Sequence, residues 1–374
     1  MYMEERERMK RIAILTFHAA CNYGAFLQTY ALVSKVSELA DTEVIDYVCE
    51  AVESTYDPKN ILKAKINPLK RYIKYFLRKR SMEANRFQFQ QAAKCYLPMQ
   101  TMRISRENLA EIEPLYDCFV VGSDQVWNTN ITKFDSTYFL DFVHDPKKKI
   151  SFAASIGDAQ WTESERKKVE GYLSSFSYIS VRESSAQAFL TELTGRKDIV
   201  HTVDPVFLHT KEEWQRMAKR PDIDHYVLFF LMGGGSVADA AFHFAARLAK
   251  KYGQELILLS DQNRPYYHPE VKHLVGVGPE EFLGYLLNAS CVISNSFHAT
   301  AMSIILEKEF WVETNIKRAG RIIELLSELG LSERALVSGV AAHRDSAIDW
   351  TAVRSKIGPL VRDGNKYLER IVNN

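Results

Sequence analysis

The stretch CVISNSFHATAMSIILEKEFWV, residues 291–312, decides the fold of this chain. Its first three residues are apolar and predict a buried strand, and the small polar residues 294–296 predict a tight turn before a helix that begins near His298. Strand, turn and helix in this order form half of a parallel α/β unit. Because the first turn of a helix carries unpaired amide groups and partial positive charge, we expect an anionic ligand beside Ser296 and His298.

Length and composition indicate the class of protein. The 374 residues are too many for one ordinary hydrophobic core and predict two domains of roughly 150 to 200 residues each. An apolar content of 46% and a charged content of 25% are typical of soluble globular proteins. The 48 basic and 47 acidic side chains nearly cancel, so the net charge does not indicate a nucleic-acid partner.

The cysteines and the N-terminal region indicate the compartment. The five cysteines are far apart and include no Cys-x-x-Cys pair, which favours a reducing environment over a disulfide framework or a zinc site. The apolar run at residues 12–17 is too short for a signal peptide or a membrane span. The histidines other than His298 show no metal-ligand spacing. We therefore expect a cytoplasmic protein without a metal site.

The order of the elements predicts two Rossmann-like, three-layer α/β domains with mostly parallel sheets. We assign residues 1–203 to the first domain, with a basic helical insertion at about 60–110, and residues 204–345 to the second. The boundary is predicted at Asp204-Pro205, because a residue before proline avoids the helical conformation. A final helix in residues 346–374 is expected to pack back onto the first domain.

The first domain begins with a predicted β-α-β unit, in which a strand at residues 11–17 precedes a helix that starts near Gly24 and a strand at residues 44–48. The loop after the first strand lies where open α/β sheets bind ligands, although a capped turn without a ligand is the alternative. Four residues of this loop are the candidate acceptor or cleft contacts: His18, Asn22, Tyr23 and Gly24.

Two later strands of the first domain also end in polar residues. Ser123 and Asp124 follow a strand predicted at residues 116–121, where they either cap the next turn or hydrogen-bond a ligand hydroxyl. Arg182 directly follows another strand. Its guanidinium can hold a carboxylate or phosphate in two-point contact, or it can form a structural ion pair with Glu183 or another acid. Its position leaves both interpretations open.

A triple glycine follows the apolar strand predicted at residues 226–232 in the second domain. Gly233, Gly234 and Gly235 precede a predicted helix, so they are a plausible phosphate or sugar loop. The pattern is neither GxGxxG nor a Walker A loop, which makes it a weak signal on its own.

Residues 68–80 predict a basic amphipathic helix inside the insertion. Such a helix can lie on an anionic membrane surface or approach a lipid-linked substrate. It can equally pack as an ordinary surface helix with a solvated face. One face carries Leu69, Tyr72, Ile73, Phe76 and Leu77, and the other carries Lys70, Arg71, Lys74, Arg78, Lys79 and Arg80.

Seven segments, taken in order over roughly residues 11–335, resemble the polysaccharide pyruvyl transferase family. They are HAACNYGAFLQTYAL, DCFVVGSDQVWN, FAASIG, ISVRESSA, VDPVFL, PEEFLGYLLNASCVISNSFHATAMSIILEKEF and GRIIELLSELGL. The resemblance implies two domains that face each other across a cleft, as in GT-B glycosyltransferases, with the active site in that cleft.

The resemblance also implies an activity. Enzymes of that family transfer the enolpyruvyl group of phosphoenolpyruvate to a sugar, form a pyruvate ketal and release phosphate, with no further cofactor expected. Their acceptors are precursors of cell-surface glycans and exopolysaccharides, commonly assembled on lipid carriers. A lipid-linked acceptor would give the basic helix at residues 68–80 a purpose as a peripheral membrane contact.

Three residues take their expected roles from the family's motifs. The resemblance implies that His298 is the acid or base, that Arg182 holds the anionic groups of the donor, and that Lys308 is a further donor ligand. A helix N-terminus favours a neutral imidazole, which suits a base better than an acid, whereas a bound phosphate would oppose this effect.

The chain departs from the family's pattern at one position. Well-studied members carry Arg-Leu-His where this chain has Ser296-Phe297-His298, so a donor-binding arginine is replaced by serine. We expect Asn295 and Ser296, together with Gly233 and Gly234, to line the donor site.

Two other functions fit the same architecture. One is a GT-B-type glycosyltransferase that uses a nucleotide sugar, with its phosphates near Gly233 and His298. The other is a glycan-binding relative that has lost turnover, which the serine at position 296 would allow. Fold resemblance alone does not separate these functions.

Overall fold

A computed structural model describes residues 9–65, 67–232, 236–260, 266, 268–269, 271–316, 319–341 and 347–373. Within them the strands are β1 (Arg11–Leu15), β2 (Asp41–Val44), β3 (Cys118–Val121), β4 (Lys149–Ser151), β5 (Ser180–Val181), β6 (Val200–His201), β7 (Tyr226–Leu231), β8 (Glu255–Ser260), β9 (Lys272–Leu274), β10 (Cys291–Ser294), β11 (Glu309–Glu313), β12 (Ala335–Val337) and β13 (Val340–Ala341).

The α-helices of the same residues are α1 (Tyr23–Ser37), α2 (Glu50–Glu53), α3 (Pro68–Tyr96), α4 (Thr129–Thr132), α5 (Glu163–Ser174), α6 (Ser184–Thr194), α7 (Lys211–Met217), α8 (Ser236–Tyr252), α9 (Pro279–Asn288), α10 (Phe297–Ile305), α11 (Gly320–Leu329) and α12 (Trp350–Asn373). Short 3-10 helices connect several of them, including Pro58–Lys63 and Pro205–Leu208.

The strands form two mainly parallel sheets. The first has the order β2-β1-β3-β4, and bridges from Ile150 to Tyr178 and from Ala154 to Val181 continue it to the pair β5-β6. The second has the order β13-β12-β11-β10-β7-β8-β9, in which only β12 and β13 pair antiparallel. The predicted class, two α/β domains with mostly parallel sheets, is confirmed.

Strand β2 differs from its prediction. It pairs with β1 over Asp41–Val44, whereas the sequence predicted residues 44–48. Val44 also bridges Met99, Ile45 N still donates to Ile14 O of β1 at 2.9 Å, and beyond them Tyr47 bridges Ile104. The apolar residues that suggested a strand are buried by these bridges without forming one.

Strand β10 is central in the second sheet because it is apolar and flanked on both sides. Val292 pairs with Leu228 of β7 and with Phe310 of β11, and all four residues of β10 are buried. The strand ends where Ser296 takes an extended conformation and its side chain accepts a hydrogen bond from Ala299 N, which starts α10.

The two domains are in contact along α1. The ring of Tyr23 stacks on Phe282 of α9 with centroids 4.1 Å apart, and its hydroxyl donates to the carbonyl of Val277 at 2.9 Å. Helix α12 lies against both domains, because Arg354 pairs with Glu307 while the Tyr367 hydroxyl donates to Ser151 O at 3.0 Å. The cleft between the domains is therefore closed in this structure.

Helix α3 has two unlike halves. Its 29 residues begin at a cap in which Asn67 Oδ1 accepts from Leu69 N. The buried side chains are all in the second half, where Phe89 packs against Tyr23 with centroids 5.3 Å apart. In the part of the chain that the structure describes, no helix is both long and apolar enough to cross a membrane.

Candidate functional site

His298 lies in the first turn of α10, at the carboxyl end of the central strand β10. The residue is 6% exposed, and Asp204 lies across the domain contact with its Oδ2 atom 3.4 Å from His298 Nε2. That distance suits an ion pair with a protonated ring, but the geometry is not that of a hydrogen bond. Nε2 therefore keeps its hydrogen-bonding capacity.

Asp204 is the centre of this cluster. Its Oδ2 atom accepts from Arg182 Nη1 at 2.7 Å and from Ser123 Oγ at 3.0 Å, and its Oδ1 atom accepts from Val206 N at 3.1 Å. Burial alone would raise the pKa of Asp204, but His298 and Arg182 together hold that pKa well below its usual range. The carboxyl group is therefore an anion throughout the neutral pH range.

Arg182 is bound by a second carboxylate as well. Its Nε donates to Glu183 Oε1 at 3.0 Å, and the same oxygen accepts from Ser155 Oγ at 2.8 Å. Burial would lower the pKa of Arg182, but Glu183 and Asp204 raise it above its usual value. The structural ion pair, one of the two interpretations of Arg182, is thus present, and it occupies two of the three guanidinium nitrogens.

Two buried nitrogens of the cluster have no hydrogen-bond partner among the residues that the structure describes: Arg182 Nη2 and His298 Nε2. An unmatched buried polar atom costs on the order of 1–3 kcal/mol, and native proteins keep few of them. The guanidinium of Arg182 also lies over the ring of Phe297, 4.5 Å from its centroid. The two nitrogens therefore indicate where a ligand atom would bind.

Gly24 brings the first domain against the imidazole. Its backbone passes so close to His298 that an added Cβ would overlap the ring at Nδ1. Asn22 caps α1 by accepting from Ala25 N at 3.1 Å, so Gly24 is in the first turn of that helix. The first turns of α1 and α10 consequently meet at one histidine, where their unpaired amides favour an anion.

The void next to the cluster is small. It is lined by Arg182, Asp204 and Phe297 together with residues of α11, including Arg321, and its volume is about 20 Å³. That is room for about one water molecule, whereas ligand pockets are usually several hundred Å³. A substrate therefore needs the closed cleft to open.

Several predicted residues have other contacts. His18 Nε2 lies 3.1 Å from Asp46 Oδ1, and this contact lowers the pKa of Asp46. Tyr23 is buried between the domains as described above. Asp124 adopts a left-handed conformation with φ of 72°, and its Oδ1 atom accepts from Gln125 N at 2.8 Å. None of the contacts just described involves His298, although the charge of Asp124 also raises the pKa of Arg182.

The predicted donor residues of the second domain are only partly brought together. Ser296 caps α10 beside His298. Asn295 ties β10 to β7, because its side chain accepts from Met232 N at 2.7 Å and donates to Met232 O at 3.1 Å. Gly233 and Gly234 lie outside the described residues.

The structure places Lys308 away from the cluster. Its Nζ atom donates to Leu287 O at 2.9 Å, at the end of α9, and desolvation lowers the pKa of this lysine. Lys308 precedes β11, whose Glu309 pairs with Cys291 at the amino end of β10. His298 follows the opposite end of β10, so the structure does not bring Lys308 to the cluster around His298.

Asp204 and Glu183 were not predicted as site residues. The sequence interpretation assigned Asp204 only to the bend before Pro205. A signal was present, because Arg182 follows β5, Asp204 follows β6, and the two strands pair in parallel through Val181 and His201. Polar residues that follow neighbouring parallel strands meet at one edge of a sheet.

Metal binding has no obvious place in the site. Over the described ranges, no three histidine, cysteine, aspartate or glutamate side chains converge as a metal site would require. The titratable groups of the cluster are an imidazole, a guanidinium and two carboxylates. This set can exchange a proton and orient an anion.

The fold is similar to that of known structures. The S. aureus MnaA–UDP co-structure is 13% identical and has a TM-score of 0.52, with 97% of this chain and 90% of that chain covered. The Methanocaldococcus jannaschii UDP-GlcNAc 2-epimerase in complex with UDP-GlcNAc and UDP is 13% identical and has a TM-score of 0.51, with 98% and 99% covered. These similarities confirm the predicted GT-B-like fold, and at this identity they show the fold alone.

Sequence comparisons identify the family. No curated protein sequence matches the chain significantly. The model of the family described as polysaccharide pyruvyl transferase matches residues 22–315, well over half of the chain, and this range includes Gly24, Arg182, Asp204 and His298. The chain therefore belongs to the polysaccharide pyruvyl transferase family.

Proposed function

We propose that this protein transfers the enolpyruvyl group of phosphoenolpyruvate to a sugar of a cell-surface or exopolysaccharide precursor, forming a pyruvate ketal and releasing phosphate. Membership of the family supports the transferase class. The observation that carries the proposal is a pair of buried nitrogens between the two domains, His298 Nε2 and Arg182 Nη2, that have no hydrogen-bond partner in the described ranges. Phosphoenolpyruvate can receive a proton from the first and a hydrogen bond from the second.

His298 is the proton donor in this proposal. Its proton goes to the methylene carbon of phosphoenolpyruvate, and positive charge develops on the neighbouring carbon that bears the phosphate. One sugar hydroxyl attacks that carbon and returns a proton to His298. The oxygen of a second hydroxyl then bonds to the same carbon as the bond from that carbon to the phosphate oxygen breaks, and its proton leaves with the phosphate, which closes the ketal ring.

Asp204 is the charged side chain next to the proton donor His298. The first turns of α1 and α10 both disfavour a charged imidazole. The carboxylate of Asp204, 3.4 Å from Nε2, acts in the opposite direction and stabilises the imidazolium. Asp204 is thus a positioning and charge-stabilising residue for His298.

Arg182 orients the donor and contributes little net charge, because Glu183 and Asp204 already neutralise it. Its Nη2 atom can donate one hydrogen bond to the carboxylate or phosphate. The remaining stabilisation of the anion comes from the two helix first turns. With Ser296 in place of an arginine, we expect weaker donor binding than such an arginine would give.

The proposal includes the acceptor and the location. A glycan precursor, in lipid-linked form, would enter between Gly24 and His298 once the domains separate. This opening breaks the stacking of Tyr23 on Phe282. We propose that the reaction takes place in the cytoplasm, with no metal and no cofactor besides phosphoenolpyruvate.

Thermal unfolding with different ligands tests the donor. A ligand that binds only the native state raises the midpoint of unfolding, by an amount set by its concentration relative to Kd. We expect phosphoenolpyruvate to raise it and UDP-sugars to leave it unchanged. Stabilisation by nucleotide sugars without stabilisation by phosphoenolpyruvate would overturn the proposal in favour of a glycosyltransferase.

Phosphate release tests turnover. With a set of glycan acceptors, we expect release that depends on the acceptor and falls by roughly 10²–10⁴ in His298→Asn. The matched control is His243→Asn, on the exposed surface of α8. Binding of phosphoenolpyruvate or glycan without any acceptor-dependent release would identify a non-catalytic glycan-binding relative.

A further inference from the structure

The first half of α3 presents a large apolar face to solvent. Five residues make up this face and are between 50% and 76% exposed: Leu69, Tyr72, Ile73, Phe76 and Leu77. Their spacing places them along one side of the helix. Soluble proteins rarely expose apolar patches of this kind unless the patch binds something.

The face points away from the body of the protein. On the opposite side of the same helical turns, Arg71, Tyr75 and Arg78 are partly buried. Helix α3 also packs along the 3-10 helix Pro58–Lys63. The fold therefore leaves the apolar side of the helix open and covers part of its basic side.

The surroundings of this face are strongly basic. Residues 58–82 contain nine lysines and arginines and no aspartate or glutamate, whereas the rest of the chain has 39 basic and 47 acidic residues. With about 100° of rotation per residue, Lys70 and Lys74 flank the apolar face on one side and Lys79 flanks it on the other. The same rotation puts Arg80 on the side of Leu69 and Ile73, so its predicted position on the opposite face is wrong. Within the described part of the chain, Lys79 pairs with Glu83 at 3.7 Å, and neither Lys70 nor Lys74 forms an ion pair.

We propose that this surface, the docking face, binds an anionic lipid bilayer; it comprises Leu69, Tyr72, Ile73, Phe76 and Leu77 with Lys70, Lys74 and Lys79. The apolar side chains would enter the boundary between headgroups and acyl chains, and the lysines would contact lipid phosphates. Positive charge flanking an apolar centre is the complement of such a membrane surface.

Charge separates this occupant from others. A second copy of the chain would place two basic segments against each other, and like charges repel. A nucleic acid would satisfy the lysines but leave the aromatic and aliphatic side chains in water. A bilayer with anionic lipids can bind the lysines through its phosphates and bury the apolar side chains among its acyl chains.

The position of α3 has a consequence for the candidate active site. Phe89, in the same helix, packs on Tyr23, the neighbour of Gly24 that abuts His298. From Leu69 to Phe89 a helix rises about 30 Å. A helix that docks by one side lies along the bilayer, so a docked α3 would place the domain contact about that far from the docking face along the membrane surface, where a lipid-linked sugar can reach it. This consequence rests on the proposed function, whereas docking itself does not.

Vesicle sedimentation of the full chain tests the proposal. One set of vesicles contains phosphatidylcholine alone, and in the other phosphatidylglycerol replaces a third of it. We expect binding to the anionic vesicles that weakens at high salt. Equal binding to both sets, or no binding to either, would overturn the proposal.

Paired variants locate the contact. We expect Lys70→Glu/Lys74→Glu to weaken binding by about 25-fold or more, since each basic residue near the surface contributes about a factor of five. We expect Phe76→Ser/Leu77→Ser to weaken it by at least about tenfold through lost apolar contact. All four residues are exposed, so the unfolding midpoint should not change.

The matched control variants carry the same number of charge reversals or of apolar-to-serine substitutions at exposed positions outside α3. Lys147→Glu/Lys167→Glu and Ile323→Ser/Val340→Ser alter exposed residues far along the chain and should bind vesicles like the wild type. If the control variants lost as much vesicle binding as the α3 variants, the proposal would be overturned. Self-association that is lost in Phe76→Ser/Leu77→Ser, without vesicle binding, would identify a second copy as the occupant instead.

Discussion

The arginine at the domain contact and the basic residues of the docking face are in opposite environments. The Arg182 side chain is 2% exposed and lies between two carboxylates, Glu183 and Asp204. The lysines of residues 58–82 are exposed except for Lys79, which is partly buried, and that stretch contains no acid. A charge removed from water needs a partner to offset its desolvation, whereas water itself solvates a charge at the surface. The buried charge of Arg182 is therefore already matched within the protein, whereas the exposed lysines can bind an external anionic partner.

The largest effect is expected from Asp204→Asn. The substitution removes the anion that pairs with Arg182 and leaves a buried guanidinium with one carboxylate. Breaking a buried pair from one side typically costs about 3–5 kcal/mol. Urea unfolding at neutral pH measures the loss in the free energy of unfolding.

The control is Asp198→Asn. Asp198 pairs with Arg196 at 2.6 Å, but its side chain is 61% exposed. Exposed pairs contribute about 0–1 kcal/mol. Equal losses in the two variants would contradict the view that burial gives the Asp204 pair its importance.

The same carboxylate predicts a dependence on pH. The folded-state pKa of Asp204 is lowered, so its contribution to stability is complete above the unfolded-state pKa of about 4. That contribution is lost as the pH falls from about 4 towards the folded-state pKa. We expect the wild type to lose more stability between pH 5 and pH 3 than Asp204→Asn does, as measured by urea unfolding at each pH; equal losses would refute this.

Gly24→Ala is expected to have an intermediate effect. The new methyl group would overlap the imidazole of His298, and overpacking at a closed contact costs about 1–3 kcal/mol. The imidazole must also shift. Acceptor-dependent phosphate release should therefore fall even at a temperature where the variant is still fully folded.

Gly171→Ala is the matched substitution in α5, where an added Cβ meets nothing within 4 Å. Alanine is the better helix former by about 0.5–1 kcal/mol, so this variant should be slightly more stable than the wild type. If Gly24→Ala lowers the stability and Gly171→Ala raises it, the contact with His298, and not glycine replacement as such, causes the loss. If both substitutions change the stability in the same direction, the close approach of Gly24 to His298 is contradicted.

Local patterns were sufficient to predict the central strand and helix of the second domain. An apolar run and a serine cap define β10 and α10, and neither depends on distant residues. Strands β12 and β13 were not predicted. They have three and two residues, which is too short for any periodicity to be recognised.

The partners of the site residues could not be predicted in the same way. The sequence left open whether Arg182 binds a ligand or an acid, and Asp204 meets it only because β6 returns beside β5. Lys308 shows the converse case. Its expected role came from the family resemblance, yet its place before β11 puts it at the amino edge of the sheet, opposite His298.

The smallest effect on stability is expected from Phe76→Ser, and it distinguishes the two halves of α3. Phe76 is 70% exposed, so its loss in the absence of vesicles should change the free energy of unfolding by less than about 0.5 kcal/mol. Phe89 is 5% exposed in the same helix, and Phe89→Ala should cost about 3–5 kcal/mol. If Phe76→Ser destabilised the protein as much as Phe89→Ala, the first half of α3 would be covered by the protein itself, and no face would remain for a bilayer. If Phe76→Ser leaves the free energy of unfolding unchanged and weakens vesicle binding, the Phe76 side chain contributes to contact with the bilayer and not to the stability of the fold.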